Sequence, residues 1–477
     1  MNLKRKIAFI TTVGVVALSA GSIPVRAAET VVAGGSSFMS NMVDICRATY
    51  NTNTAQNPNK DVISYDGTQG SGNGRKGFSP DANVGKVPAT SRLYAFAGSE
   101  SAFSSTVAPI GFVYVPLIGG PIGIAYNLAG VKDQISLSST TLAKIFAGTI
   151  TKWNDPAIVA DNTATSVVTP AVTVKGVSQV AKSGTTAKIV RGATTSTITI
   201  TATKAAVKAG LKKSLIITRV IGTNVKVVKT LKMSAKGSVV VPNAVGASYG
   251  ISLGGKTIGN LTPDVVTPAV TTVTGKTITM PSTAITVTSR SGNSGTSNMF
   301  ANYLNKVEPA IWTKATSDAF DTAFPGTKPT DGSFQTATGN DGVTTYVASK
   351  DGAITYAEVS FITERDLQAA KIKNAAGVYV APTIAASADA MANAEIDASG
   401  LVTQDYTTKT ATAYPINAVA YGIAATANST MNTAVKGFFS YFLNKCAPSS
   451  AAGAGYTALS GAFLTKALAQ VAKISAS

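Results

Sequence analysis

The chain is most tightly constrained by one local pattern that recurs along it. A short apolar run enters a turn of glycines and hydroxyl residues, and a helix follows. Thr30-Val-Val-Ala33 enters Gly34-Gly-Ser-Ser-Phe38, with a helix expected from about Met39 to Tyr50. Asp61-Val-Ile-Ser-Tyr65 enters Gly67-Thr-Gln-Gly-Ser71-Gly-Asn-Gly74 and a second helix. Leu93-Tyr-Ala-Phe-Ala97 ends at Gly98-Ser-Glu100-Ser101, and Ala284-Ile-Thr-Val-Thr288 leads through Ser289-Arg-Ser-Gly-Asn-Ser-Gly-Thr296 into an amphipathic helix over about 296–306. Strands alternating with helices predict an α/β fold with ligands gathered outside the carboxyl ends of the strands.

Such a turn aims backbone N–H groups and the positive end of a helix dipole at one spot, which suits an anion. Ser36, Ser37, Ser71, Ser99, Ser294 and Thr296 add hydroxyls at the successive strand ends. Arg290 adds a planar five-donor fork that fits an oxyanion, and Glu100 adds an acceptor. One such turn is an ordinary capped helix; several in series make a site.

Composition removes many alternatives. Histidine is absent, which excludes Ser-His-Asp and Cys-His triads and His-bearing metal sites. The two cysteines, Cys46 and Cys446, lie at opposite ends of the chain, with no zinc-ligand spacing, and pair as a disulfide in an oxidising compartment. Met1 to Ala27 has a basic head at Lys4-Arg5-Lys6, an apolar run from Ile7 to Leu18 and small residues before Ala27. It reads as a signal peptide cleaved near Ala27, with no cysteine there for a lipid anchor, so an exported protein is expected. A lone Gly72-x-Gly74-x-x-Gly77 match is weak grounds for a dinucleotide site, and Trp153 and Trp312 are expected in the core. The second half shows no carboxylate pair suited to glycosidase or phosphatase chemistry.

The formal charge of +18 is not spread evenly. Between Ala164 and Gly275 lie fourteen Lys and Arg and one acid, Asp264, while the rest of the mature chain is close to neutral. This segment is rich in Thr, Val and Ala, with Tyr249 as its one aromatic. Thr197–Ala202, Ser214–Ile221, Lys226–Lys232 and Ser238–Val241 read as strands, separated by turns such as Lys236-Gly237 and Gly254-Gly255. Val-Val-Thr-Pro-Ala-Val occurs at 167–172 and again at 265–270, and its prolines suit linkers. An inserted all-β, immunoglobulin-like sandwich of about 90 residues is expected. Its basic face suits an anionic cell-wall polymer or another extracellular polyanion.

Taken together, the motifs resemble the phosphate-binding proteins of ABC transporters, in order along nearly all of the chain outside 164–275. Gly34–Phe38 resembles the family's first phosphate loop, Gly70-Ser71-Gly72 its second, and Phe96-Ala-Gly-Ser-Glu100 the loop ending in its carboxylate. Val115–Asn127 resembles the crossing between lobes, and Leu142–Asn154 a characteristic helix and turn. Arg290-Ser-Gly-Asn-Ser-Gly-Thr296 resembles the anion loop Arg-Ser-Asp-Gly-Ser-Gly-Thr, and Gly339–Gly342, Gly352–Tyr356 and Tyr414–Ile416 complete the series. The resemblance implies a two-lobe periplasmic-binding-protein (type II) fold with hinge strands. The lobes would be 28–112 with 410–477 and 113–163 with 276–409, and 164–275 would be the insertion. It implies inorganic phosphate held by Ser36, Ser37, Phe38, Ser71, Glu100, Arg290, Ser294, Gly295 and Thr296. It further implies a monomeric extracellular receptor partnered by an ABC permease in the membrane, with no catalytic activity, cofactor or metal.

Two departures from the family pattern bear on selectivity. The carboxylate is Glu100 rather than Asp, and the Asp after the family's arginine is Gly292 here. Phosphate is still expected to bind, with weaker discrimination against arsenate or organic phosphates. Besides a transport receptor, a secreted protein attached to an anionic surface through its basic module and, less favoured, an extracellular phosphatase remain open readings.

Overall fold

The computed structural model describes residues 26–475, apart from 81–83, 90, 170–171, 175, 192–194, 211–213, 222, 233–235, 243–246, 254, 263–264, 268–269 and 275. Nearly all of the expected signal peptide lies outside the described residues. The chain divides into two compact units, one built from 1–163 with 276–477 and the other from 164–275.

The larger unit is α/β. Its elements include β1 (Thr30–Gly35), α1 (Ser40–Thr52), β2 (Val62–Asp66), α2 (Gly70–Phe78), β3 (Phe96–Ser99) and the long β4 (Phe112–Tyr126). After the insertion come β5 (Thr286–Arg290), α3 (Gly295–Val307), β6 (Phe334–Ala337), α4 (Gly339–Ser349), β7 (Ala353–Glu358), β8 (Asn417–Ala425) and α5 (Thr430–Tyr441). The strands follow one path, β6-β5-β7-β4-β8-β3-β1-β2, with Gln368–Ala369 also paired to β4. β1 is parallel to β2 and β3, and β5 is parallel to β6 and β7. β4 ties the halves together: its residues 112–121 pair antiparallel with β8, and 122–126 pair with β7. Both β4 and β8 are buried almost throughout, as strands covered on two faces must be. The β4–β8 register shifts between Ala420 and Tyr421, opposite Pro116, where a missing N–H breaks the ladder.

Element boundaries depart from the sequence reading in informative ways. The third strand begins at Phe96, and Leu93 is exposed. β5 runs through Arg290, because Arg290 continues the pairing with Ala337 that sequence propensity does not reveal. The glycine turn after β2 is helical from Gly70, so the dinucleotide-like Gly72, Gly74 and Gly77 all lie inside α2. That helix tolerates its glycines because it is approached so closely: a Cβ on Gly72 would stand 2.4 Å from the Cβ of Asn293. Trp153 and Trp312 are fully buried, and the Trp153 indole N–H donates to Gly352 O at 3.0 Å.

Among its described residues, the smaller unit is all β apart from one short helix, Lys204–Gly210. Strands 236–242, 195–202, 185–191 and 179–182 form one antiparallel sheet, and 224–232, 214–221, 248–253 and 256–261 form another. Period-two alternation turns Ile198, Ile200 and Ile189 of the first sheet and Leu215, Ile217, Tyr249 and Ile251 of the second into one apolar core. Lys236-Gly237 is not a turn; it pairs with Ile200 and Thr201 within the sheet. The repeated hexapeptide is not a plain linker either. Its copies lie in two short antiparallel ladders, 165–169 with 270–274 and 172–174 with 265–267.

Cys46 on α1 and Cys446, just beyond α5, form the expected disulfide across a sequence separation of 400. Both are buried beside an aromatic cluster in which Tyr50 meets Phe438 at 5.4 Å and Tyr441 at 5.2 Å. Among the described residues no helix is long and apolar enough to cross a membrane. Cross-linking so distant positions restricts the unfolded chain strongly, so Cys46→Ser with Cys446→Ser is expected to cost roughly 2–5 kcal/mol, read from urea unfolding. An unchanged midpoint would contradict this.

Candidate functional site

Four strand–turn–helix units deliver their turns to one place: β1 to α1, β2 to α2, β5 to α3 and β6 to α4. The N-cap residues of α1, α2 and α4 make no side-chain cap of their own, whereas Ser294 caps α3 by accepting from Ser297 N at 3.2 Å. Their first amides are instead taken from neighbouring turns, Met39 N by Ser36 Oγ at 3.4 Å, Gly72 N by Asn293 O at 3.2 Å and Asn340 N by Ser37 Oγ at 3.4 Å, so the positive ends of the helices gather at one spot that suits an anion.

Glu100, just beyond β3 and 2% exposed, stands at the centre. Its Oε1 accepts from the Ser36 hydroxyl in a very short contact, and its Oε2 accepts from Ser71 Oγ at 3.1 Å and Thr296 Oγ1 at 3.5 Å. Gly295 lies against the same carboxylate; a Cβ there would come within 2.5 Å of both Glu100 Oε2 and Ser71 Oγ. Burial pushes the Glu100 carboxyl up, opposed by the Ser36 hydrogen bond and the Arg290 charge.

Arg290 ends β5 and is 4% exposed. Its Nη1 donates to Asn340 Oδ1 at 3.2 Å and to Thr296 Oγ1 at 3.4 Å, and its backbone N–H to Tyr356 OH at 3.3 Å. Burial pulls the guanidinium down from its ordinary value, with Tyr356 and Glu100 opposing. Its Nε has no hydrogen-bond partner, nor has Asn340 Nδ2, and both are buried. Gly292 offers no restraint on the arginine, and a Cβ built there would meet nothing within 4 Å. Buried donors left unsatisfied are costly, so these two, one on the guanidinium and one on the neighbouring carboxamide, are available to an acceptor.

The sequence-derived residues come together unevenly. Ser36, Ser71, Glu100, Arg290, Gly295 and Thr296 share the cluster just described. Ser37 joins it from the side, its hydroxyl accepting from Asn340 N at 3.4 Å. Ser294 spends its oxygen on the α3 cap, while its own N–H donates to Asp318 O at 2.9 Å. The Phe38 ring packs edge-on to Tyr456, so contact with a ligand would be made by its main chain. Ser99 supports rather than faces the cluster: its hydroxyl accepts from Arg75 Nη1 at 2.8 Å and donates to Ser101 O at 2.6 Å.

Several residues escaped sequence reasoning. Asn340 opens α4 after β6, and the strand–turn–helix rule applied to that unit would have flagged it. Arg75 of α2 reaches across to Asp318 Oδ2 at 2.5 Å while also holding Ser101 Oγ at 2.6 Å, and no local signal announces a pair 243 positions apart. Asp318 is held in turn by Asn298 Nδ2 at 2.9 Å. Backbone also bridges the halves, Gly72 N donating to Asn293 O at 3.2 Å. Behind Asn340 lies a second buried acid, Glu358, whose N–H donates to Asn340 Oδ1 at 3.5 Å and whose carboxylate accepts from Ser360 N at 2.8 Å. Among the described residues no cluster of His, Cys, Asp and Glu could hold a metal ion.

This arrangement of turns defines a class. The chain belongs to the PBP superfamily: the family model for the PBP superfamily domain matches residues 21–262 and 258–445. Within that class it is similar to the phosphate-binding protein PstS of Xylella fastidiosa, 33% identical over 116 residues, which are 24% of this chain and 30% of that protein. It is 46% identical over 72 residues to the phosphate-binding protein PstS 3 of Mycobacterium leprae, covering 15% of this chain and 19% of that one. The chain thus spans less than a third of the length of these curated relatives. Among solved structures, a high-affinity periplasmic phosphate-binding protein, PfluDING, aligns with a TM-score of 0.52 at 19% identity, over 92% of this chain and 93% of that chain. A phosphate-binding protein from Stenotrophomonas maltophilia aligns at 0.51 and 17% identity over the same shares. At such identities these likenesses establish the fold.

Burial pushes the Glu358 carboxyl up to about 8 from an ordinary 4.5. A carboxyl raised in the folded state contributes stability that is complete below its unfolded value and lost as pH climbs through the folded one. The wild-type melting temperature is therefore expected to fall between about pH 5 and about pH 8 more steeply than that of Glu358→Gln, with Glu100 adding the same slope to both. Parallel melting curves would refute this.

Proposed function

We propose that the protein is an extracellular receptor that captures inorganic phosphate between two lobes for an ABC-type importer. The observation that carries the reading is the pair of buried, unpartnered donors, Arg290 Nε and Asn340 Nδ2, beside the gathered helix starts. The names of the relatives support the same ligand. Hydrogen phosphate would take donors from Ser36, Ser37, Ser71, Arg290, Thr296 and the amides near Phe38 and Gly295, and offer its proton to Glu100. Sulfate has no proton at neutral pH and would meet that carboxylate unpaired. In this reading 28–112 with 410–477 and 113–163 with 276–409 are the lobes, and β4 and β8 the strands between them.

The inserted unit supports a second role. Fourteen basic residues against one acid, on an immunoglobulin-like sandwich whose single tyrosine is buried, suit an anionic polymer that needs no base stacking. It would hold an exported receptor near the cell.

Calorimetry with phosphate, arsenate, sulfate and phosphate monoesters tests the first role. Phosphate is expected to give heat, sulfate none, arsenate and monoesters partial competition, and Arg290→Ala to weaken phosphate by on the order of 100-fold. Heat from another anion with none from phosphate would overturn the assignment. For the second role, salt is expected to release the protein from cells, and deletion of 164–275 to abolish its retention; retention without that segment would sink it.

A further inference from the structure

The turn at Arg290 holds a buried cation without a restraining acid. Among the described residues its guanidinium has neutral acceptors only, Thr296 Oγ1 and Asn340 Oδ1. Gly292, with φ +71° and open space around it, places nothing on the far side. The guanidinium is therefore held by the Thr296 hydroxyl and, at the shorter distance, by the Asn340 carboxamide. Asn340 is 0% exposed and its own orientation is doubly determined. Its oxygen receives Arg290 Nη1 at 3.2 Å and Glu358 N at 3.5 Å, both donors, which fixes the oxygen toward them and leaves Nδ2 as the donor with no partner. Its backbone N–H, in the first turn of the 11-residue α4, reaches Ser37 Oγ at 3.4 Å from the other half of the sheet.

We propose that Asn340 is a specificity-determining residue of the anion site: it positions Arg290 through Oδ1 and donates to the bound oxyanion through Nδ2. The proposal rests on the phosphate reading above. A neutral amide in this role keeps the full charge of Arg290 for the ligand, where a carboxylate would consume it. Its one acceptor, Oδ1, is spent on Arg290 and the Glu358 N–H, which leaves only a donor for the ligand, so Glu100 remains the acceptor that can read a proton on it. The site is thus built to favour a doubly charged tetrahedral anion carrying one proton.

The test compares two substitutions on the full-length protein, using inorganic phosphate as the probe, and reads binding by calorimetry and the melting temperature of the ligand-free protein separately. Asn340→Ala removes both bonds and is expected to weaken phosphate by about 10- to 100-fold. Asn340→Asp keeps the shape, pairs Arg290 and removes the donor. Its ligand-free melting temperature is expected to hold or rise, while phosphate weakens by at least about 100-fold. A purely structural role would move melting and affinity together, so opposite movement in Asn340→Asp supports the proposal. Wild-type affinity in either variant would overturn it, as would parallel losses in Asn340→Asp. Should Asn340→Asp fail to fold, Asn340→Ala with a wild-type melting temperature and reduced affinity supports the proposal, and unchanged affinity overturns it. If the wild-type protein itself gives no heat with phosphate, the functional reading falls instead, which separates the two failures.

Discussion

A guanidinium buried without a carboxylate partner is the constraint on which the rest of this molecule turns. Removing such a charge from water is expensive, and the hydroxyl and amide oxygens that touch Arg290 compensate only in part. The surrounding structure is arranged in keeping with that cost. Four strands end where four helices begin, so that the positive ends of their dipoles add to the arginine's field rather than oppose it. The one acid in the cluster, Glu100, is occupied by hydroxyls from Ser36, Ser71 and Thr296 and does not pair with the arginine directly. Glycine at 295 is demanded by the same crowding, since the smallest side chain would enter the space of Glu100 and Ser71.

Much of this was legible in the sequence because it is local. A strand, a turn of small hydroxyl residues and a helix occupy about a dozen consecutive positions, and each copy announces itself independently of the others. That is why Ser36, Ser71, Glu100, Arg290 and Thr296 could be named and why they meet. The pairing of Cys46 with Cys446 was legible for a different reason, that a chain with two cysteines has only one pairing to make. What stayed hidden is whatever depends on contacts made in three dimensions. Arg75 and Asp318 carry no motif, and only the folded chain sets them 2.5 Å apart. Asn340 sat inside a motif that was noticed, but its role depends on the oxygen of its amide being turned by Glu358 N–H, a detail of packing. Ser294 shows the converse: a hydroxyl in the right turn is drawn into capping its own helix. The strand and helix boundaries moved by a few residues for the same reason. Pairing with Ala337 extends β5 to Arg290, and close approach to Asn293 makes a helix of residues that propensity assigns to a turn.

The insertion follows another logic. Its strands were visible as alternating runs, and alternation places Ile198, Ile200, Leu215, Ile217 and Ile251 in one core. Lys182, Lys188, Lys226, Lys229 and Lys232 are exposed, and the apolar core is built without them. A sandwich can change its exposed residues freely as long as one face of each sheet stays apolar, so the basicity of this segment is not a requirement of its fold.

The paired copies of the hexapeptide carry one last implication. Because 165–169 pair with 270–274 and 172–174 with 265–267, the two ends of the insertion run side by side as antiparallel strands. Whatever is carried between them need only present termini a strand's width apart. The protein is thereby a natural chassis for grafting: the α/β unit and its insertion can be exchanged or evolved separately, provided the paired ends are kept.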